Sequence, residues 1–128
     1  MKHSVHLLLA SVAMSSLALV SCSPKTSVVE SDFAFADSQL RLAIQCADST
    51  RAAQNKTLVE LPSPRNIEPD SSMRLVPASD WCSGFFPGEL WYMYEYTGDP
   101  FWKQQAETYT EALESQKSNR GTHDIGFM

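Results

Sequence analysis

Residues 83–98 read Ser-Gly-Phe-Phe-Pro-Gly-Glu-Leu-Trp-Tyr-Met-Tyr-Glu-Tyr-Thr-Gly. On a helix, Phe85, Phe86, Leu90, Trp91, Tyr92, Met93 and Tyr94 stand around the circumference instead of along one stripe, the pattern of a helix with no solvent face. Gly98 supplies the left-handed residue that ends many helices. The stretch therefore predicts a buried helix capped by Gly98. So short a chain cannot cover such a helix by itself, so something more is expected to pack on it.

Immediately downstream, Asp99-Pro100 offers an N-cap and the proline favoured at the first helical position. Trp102, Ala106, Tyr109 and Leu113 then recur at helical steps, and Ser118-Asn119-Arg120-Gly121 closes the segment. Glu107, Glu111 and Glu114, with Lys117 near the carboxyl end, form a solvated face that needs no functional role. Upstream, Ala36, Leu40, Ala43, Ile44 and Ala47 predict a first amphipathic helix from Phe33 to about Gln54. Between the first two helices, Pro62, Pro64, Pro69 and Pro77 predict a long loop over 55–80, with a short hairpin around Asp70-Ser71-Ser72 as the alternative. The fold class is all-α. Helix pairs in succession are how α/α barrels and toroids are built, each layer covering the next.

The first residues are of another kind. Lys2 and two histidines precede an uncharged apolar run from Leu7 to Val20, too short for a membrane span and typical of a secretory signal. It ends in Leu19-Val20-Ser21-Cys22, which resembles a bacterial lipobox, so Cys22 is expected to become the lipidated first residue of the mature chain. The expected organisation is 1–21 lipoprotein signal peptide, 22–32 polar, mobile, lipid-anchored tether, and 33–128 folded part. That makes an exported bacterial lipoprotein, held to the membrane by its lipid alone and periplasm-facing, with Ser23 leaning towards the outer membrane.

The whole chain of 128 residues is 43% apolar and 20% charged, a globular composition with room for one domain at most. Of its ten Lys and Arg only Lys2 leaves with the signal, against fifteen Asp and Glu that remain, and this acidic balance disfavours nucleic acid as a partner. Cys46 and Cys82 are read as buried free thiols, although an oxidising compartment permits a disulfide between them.

Two short runs carry candidate chemistry. Asp80-Trp81-Cys82-Ser83-Gly84 places an acid and an indole where a loop becomes a helix, although on residue type alone Asp80 or Ser83 reads as an N-cap and Trp81 as core. Thr122-His123-Asp124 leads out of the third helix, and by itself the pair reads as a cap or a satisfied surface pair. With no third ligand nearby it is no metal site, and with no nucleophile it is no triad; no metal or cofactor is expected.

Taken together, Pro64-Arg65-Asn66-Ile67, the run from Leu75 to Gly88, Leu90 to Gly98 and Thr122 to Met128 resemble the amino-terminal part of the unsaturated glucuronyl hydrolases, family 88 of the glycoside hydrolases. The resemblance implies the first helices of a six-fold α/α barrel, incomplete in this chain. It implies a substrate class as well: unsaturated uronic-acid oligosaccharides left by polysaccharide lyases, such as chondroitin or hyaluronan disaccharides, hydrated at the C4=C5 double bond. By the same resemblance Asp124 is the assisting catalytic aspartate, with His123 beside it at the substrate, and Trp81 packs against the unsaturated ring. The general acid/base aspartate of the family lies past Met128, so this chain alone is expected to be inactive. The alternatives are an unsaturated galacturonyl or rhamnogalacturonyl hydrolase and a non-catalytic glycan-binding lipoprotein.

Overall fold

The computed structural model describes residues 27–124, which form three helices, one two-stranded hairpin and a closing 3-10 turn. The signal segment and Cys22 lie outside the described residues, as do Ile125–Met128. Among those described, no helix is long and apolar enough to cross a membrane.

The first helix, α1, runs Val28–Ala53 and so takes in five residues of the stretch read as tether. The reason is a capping box. Ser27 Oγ accepts from the Glu30 amide at 3.1 Å while Glu30 Oε2 accepts from the Ser27 amide at 2.7 Å, satisfying two amide donors at the helix start. The apolar spacing from Ala36 onward shows where α1 begins to pack, whereas the cap sets where it begins to coil.

The predicted loop between the helices contains the hairpin that was its alternative. Strand β1 (Ser63–Ile67) pairs antiparallel with β2 (Met73–Val76), Ser63 opposite Val76 and Ile67 opposite Met73. Around the turn the Glu68 amide donates to the Ser72 carbonyl at 2.8 Å, and Asp70 Oδ1 accepts from the Ser72 amide at 2.9 Å. Ser71 takes the left-handed conformation, φ 68°, that the turn requires. The prolines are compatible because a two-stranded ribbon has only edge strands, where a missing amide donor costs little. The register breaks between Pro64 and Asn66, leaving Arg65 as an extra residue in β1.

Helix α2 spans Phe85–Thr97 and α3 spans Pro100–Glu111, joined by Gly98 and Asp99. Gly98 is left-handed at φ 67°, its amide donating back to the Tyr94 carbonyl at 2.8 Å. Asp99 caps α3 through the Phe101 amide at 2.9 Å. The third helix is shorter than its periodicity suggests, because after Ala112 the chain tightens into a 3-10 turn at Glu114–Gln116. Leu113 is still buried.

The core lies where α1, α2 and α3 meet: Ile44, Phe86, Leu90, Met93, Trp102, Ala106 and Tyr109. The Trp102 indole N–H donates to Asp37 at 3.0 Å, and Arg41 bridges Asp37 and Asp99, fixing α1 against the start of α3. As expected of a helix too apolar for so short a chain to cover, α2 is buried on one side only. Phe86, Pro87, Leu90 and Met93 are inside, but Phe85, Trp91, Tyr92 and Tyr96 stay exposed, Tyr92 by 69%. Among the described residues α1 and α3 cover one face of α2 and leave aromatic side chains exposed on the other.

Candidate functional site

Asp80-Trp81-Cys82 forms a tight turn between β2 and α2. The Asp80 amide donates to the Pro77 carbonyl and the Ser83 amide to the Asp80 carbonyl, each at 3.0 Å. Ser83 is fully buried and fixes the turn from below, its hydroxyl donating to the Ala78 carbonyl at 2.8 Å while its own carbonyl accepts from Ser63 Oγ at 2.5 Å. Neither Asp80 nor Ser83 is the N-cap of α2, a correction to the reading from residue type. That place belongs to Gly84, which makes no side-chain cap. The two polar side chains instead hold the loop to itself and to the hairpin.

Asp80 is anchored on three sides. Its Oδ1 accepts from the Cys82 amide at 3.2 Å and from the Cys82 thiol at 3.1 Å, and pairs with the Arg65 guanidinium. Burial opposes the carboxylate charge, but these hydrogen bonds and the arginine charge outweigh it, so the carboxyl titrates below its usual range. The Cys82 thiol moves the other way, raised by burial and by the neighbouring carboxylate. It is therefore a poor nucleophile. Cys46 and Cys82 are both free and half-buried, so the disulfide that an oxidising compartment permits is not formed here.

Trp81 is not core. Its residue exposure is 47%, its ring meets Phe85 edge-on with centroids 6.0 Å apart, and the Arg65 guanidinium carbon lies 5.6 Å over the ring. Its contacts Arg65 and Phe85 and its chain neighbour Cys82 line a cleft of about 530 Å³, with Asn66, Phe86 and Glu89 among the other walls. The protein crowded around Glu89 raises the pKa of its carboxyl by desolvation, although the residue keeps contact with water. An exposed indole beside a polar-rimmed cleft is suited to stacking a sugar ring, whose C–H face is apolar and whose hydroxyls need hydrogen bonds.

The second candidate lies after α3. His123 Nε2 is 3.4 Å from Asp124 Oδ1, and the Asp124 amide donates to Thr122 Oγ1 at 3.1 Å. The His123 side chain is 94% exposed, whereas that of Asp124 is 29% exposed. Asp124 is thus the better-held group of the two. Among the described residues no cluster of three His, Cys, Asp or Glu is placed to hold a metal. The structure joins His123 to Asp124 and brackets Trp81 with Arg65 and Phe85, one set on the loop before α2 and the other on the loop after α3. Arg65 and Glu89 were given no role from sequence. A lone arginine after a proline carries no signal until the strand register is known.

No protein-family model matches the chain. It is similar to the unsaturated glucuronyl hydrolase of Formosa agariphila, 54% identical over 52 residues, which are 41% of this chain and 13% of that protein. It is also similar to the unsaturated glucuronyl hydrolase of a Bacillus species, 41% identical over 54 residues, 39% of this chain and 14% of that protein. Among solved structures it superposes on an unsaturated glucuronyl hydrolase specific for heparin with a TM-score of 0.54 and 40% identity, over 76% of this chain and 24% of that one. The chain thus spans about a seventh of the curated relatives and a quarter of the solved structure. The resemblance to the unsaturated glucuronyl hydrolases is borne out, and so is the fold: this is part of an α/α barrel.

Proposed function

We propose, from that similarity as premise, that the chain supplies the stacking tryptophan and the assisting aspartate of a family 88 glycoside hydrolase acting on unsaturated glucuronyl oligosaccharides. The observation that carries the reading is the half-exposed Trp81, whose contacts Arg65 and Phe85 line a sugar-sized cleft, within a fold shared with a solved unsaturated glucuronyl hydrolase. Water adds across the C4=C5 bond of the terminal uronic acid, a proton going to C4 and hydroxyl to C5. The resulting hemiketal opens and releases the next sugar.

In this scheme Trp81 binds the planar unsaturated ring by its face, and Asp124 accepts hydrogen bonds from ring hydroxyls, with His123 alongside. Such oriented contacts raise the effective concentration of the reacting groups. A carboxyl group serving as proton donor and base is needed as well. It is proposed to lie outside these 128 residues, so that the chain alone does not turn over. Cys22 is proposed as a lipid attachment point, placing the enzyme on the periplasmic side of a bacterial membrane or on the outer membrane.

The test is an assay on the protein that contains this segment, following loss of the ultraviolet absorbance of the 4,5-double bond. Unsaturated disaccharides from chondroitin, hyaluronan and heparin are run in parallel; the heparin arm is included because the solved neighbour is specific for it. Turnover that Asp124→Asn abolishes supports the reading. No turnover on any unsaturated glucuronide overturns it.

A further inference from the structure

We infer that Arg65 is a positioning residue for Trp81, holding the indole in place before a sugar ring arrives; the inference rests on Trp81 being the stacking platform proposed above. Three contacts converge on the one guanidinium. It pairs with Asp80, the residue before Trp81, and Nη1 lies 3.5 Å from the thiol of Cys82, the residue after it. Its central carbon lies 5.6 Å over the Trp81 ring itself. Arg65 therefore grips the tryptophan by both chain neighbours and by its π face.

The strand explains how Arg65 comes to be there. Pro64 pairs with Leu75 and Asn66 with Arg74, so Arg65 is the unpaired residue at the register break of β1. Bulges of this kind bend a strand and re-aim one side chain, and they concentrate next to binding sites. Asp80 is in turn held by the Cys82 amide, so the anchor that Arg65 grips is itself fixed.

This arrangement still leaves Trp81 47% exposed. The guanidinium therefore meets the ring without burying it. An indole on a loop has two side-chain torsions to lose on binding, and fixing them beforehand lowers the entropic cost of stacking. A planar guanidinium can stack and ion-pair at once, which an ammonium group cannot do as well.

The experiment compares Arg65→Gln, Arg65→Lys, Asp80→Asn, Trp81→Ala and the Arg65→Gln/Trp81→Ala double variant of the protein containing this segment. Two readouts are taken: the order parameter of the Trp81 indole N–H by ¹⁵N relaxation, and KM and kcat on an unsaturated glucuronyl disaccharide. Arg65→Gln and Asp80→Asn are expected to lower indole order, and Arg65→Lys to restore part of it. Arg65→Gln should raise KM about fivefold with kcat nearly unchanged, the scale of one cation–π contact and one immobilised side chain. In the Trp81→Ala background the arginine change should add nothing. Unchanged indole order in both Arg65→Gln and Asp80→Asn overturns the inference, as does an equal KM penalty with and without Trp81. A wild-type protein with no turnover sinks the proposed function instead, and the relaxation measurement then decides the positioning role without it.

Discussion

Arg51 Nη2 on α1 donates to Tyr109 Oη on α3 at 2.9 Å, and both side chains are buried. The same guanidinium donates to the Leu61 carbonyl at 3.0 Å just ahead of the hairpin, and pairs with Asp48 at 2.7 Å. One residue thus ties together the first helix, the third helix and the segment leading into β1. Arg51→Met should destabilise the fold by about 3 kcal/mol, because it strands buried oxygens, whereas Tyr109→Phe should cost about 1 kcal/mol. Asp48 is 66% exposed, so Asp48→Ala should cost less than about 1 kcal/mol. Urea unfolding of the three variants checks the order.

The two residues between α2 and α3 do separate work. Gly98→Ala forces a β-carbon into the left-handed region and should cost about 1 kcal/mol, although there is open space for the added carbon. Asp99→Ala removes the α3 cap and the partner of Arg41, again about 1 kcal/mol, and Asp99→Asn should recover most of the cap. Thermal unfolding midpoints of the three variants provide the measurement.

Glu89 and Asp80 respond to pH in opposite senses. The Glu89 carboxyl pKa is raised by desolvation from 4.5, so its stability contribution is full below that value and is lost as pH rises through the folded-state pKa. Glu89→Gln should accordingly raise the urea midpoint at neutral pH and leave it unchanged in acid. Asp80 is depressed below 3.8, so its contribution is present above that value and disappears as pH falls through the lower folded-state pKa. Loss of the Arg65–Asp80 pair in acid should be read directly as loosening of the Trp81 indole signal by NMR.

If the proposed function holds, Asp124→Asn should lower kcat by about a hundredfold or more, the scale of losing a positioned acid–base or hydrogen-bonding carboxylate. Trp81→Ala should act mainly on KM, by about tenfold for one lost stacking face. His123→Ala should do less than Asp124→Asn, because His123 is almost fully exposed. Steady-state kinetics on an unsaturated disaccharide separates the three.

Much of the candidate site was legible as motif and little of it as geometry. Asp80-Trp81-Cys82-Ser83-Gly84 and His123-Asp124 stand out as short runs whose order around two helices is specific. Residue type alone made Asp80 and Ser83 caps and Trp81 core, and all three assignments changed once the hairpin was in place. Asp80 turns towards Arg65 and Cys82, Ser83 locks the loop to Ala78 and Ser63, and Trp81 is lifted into solvent. Two of the partners, Arg65 and Ser63, are fifteen and twenty residues away in sequence, beyond the reach of any local pattern.

By itself the sequence determined the helices and their ends where the cause is local: the periodicity of Trp102, Ala106, Tyr109 and Leu113, the left-handed Gly98, and the cap at Asp99. Each depends on residues within one or two turns of each other. Only the tertiary structure decided that four prolines and a turn fold into a hairpin, that a register break aims Arg65 at Trp81, and which side chains of α2 are buried against α1 and α3. Those outcomes depend on which distant residues meet, and the strand pairing and helix packing that bring them together are non-local.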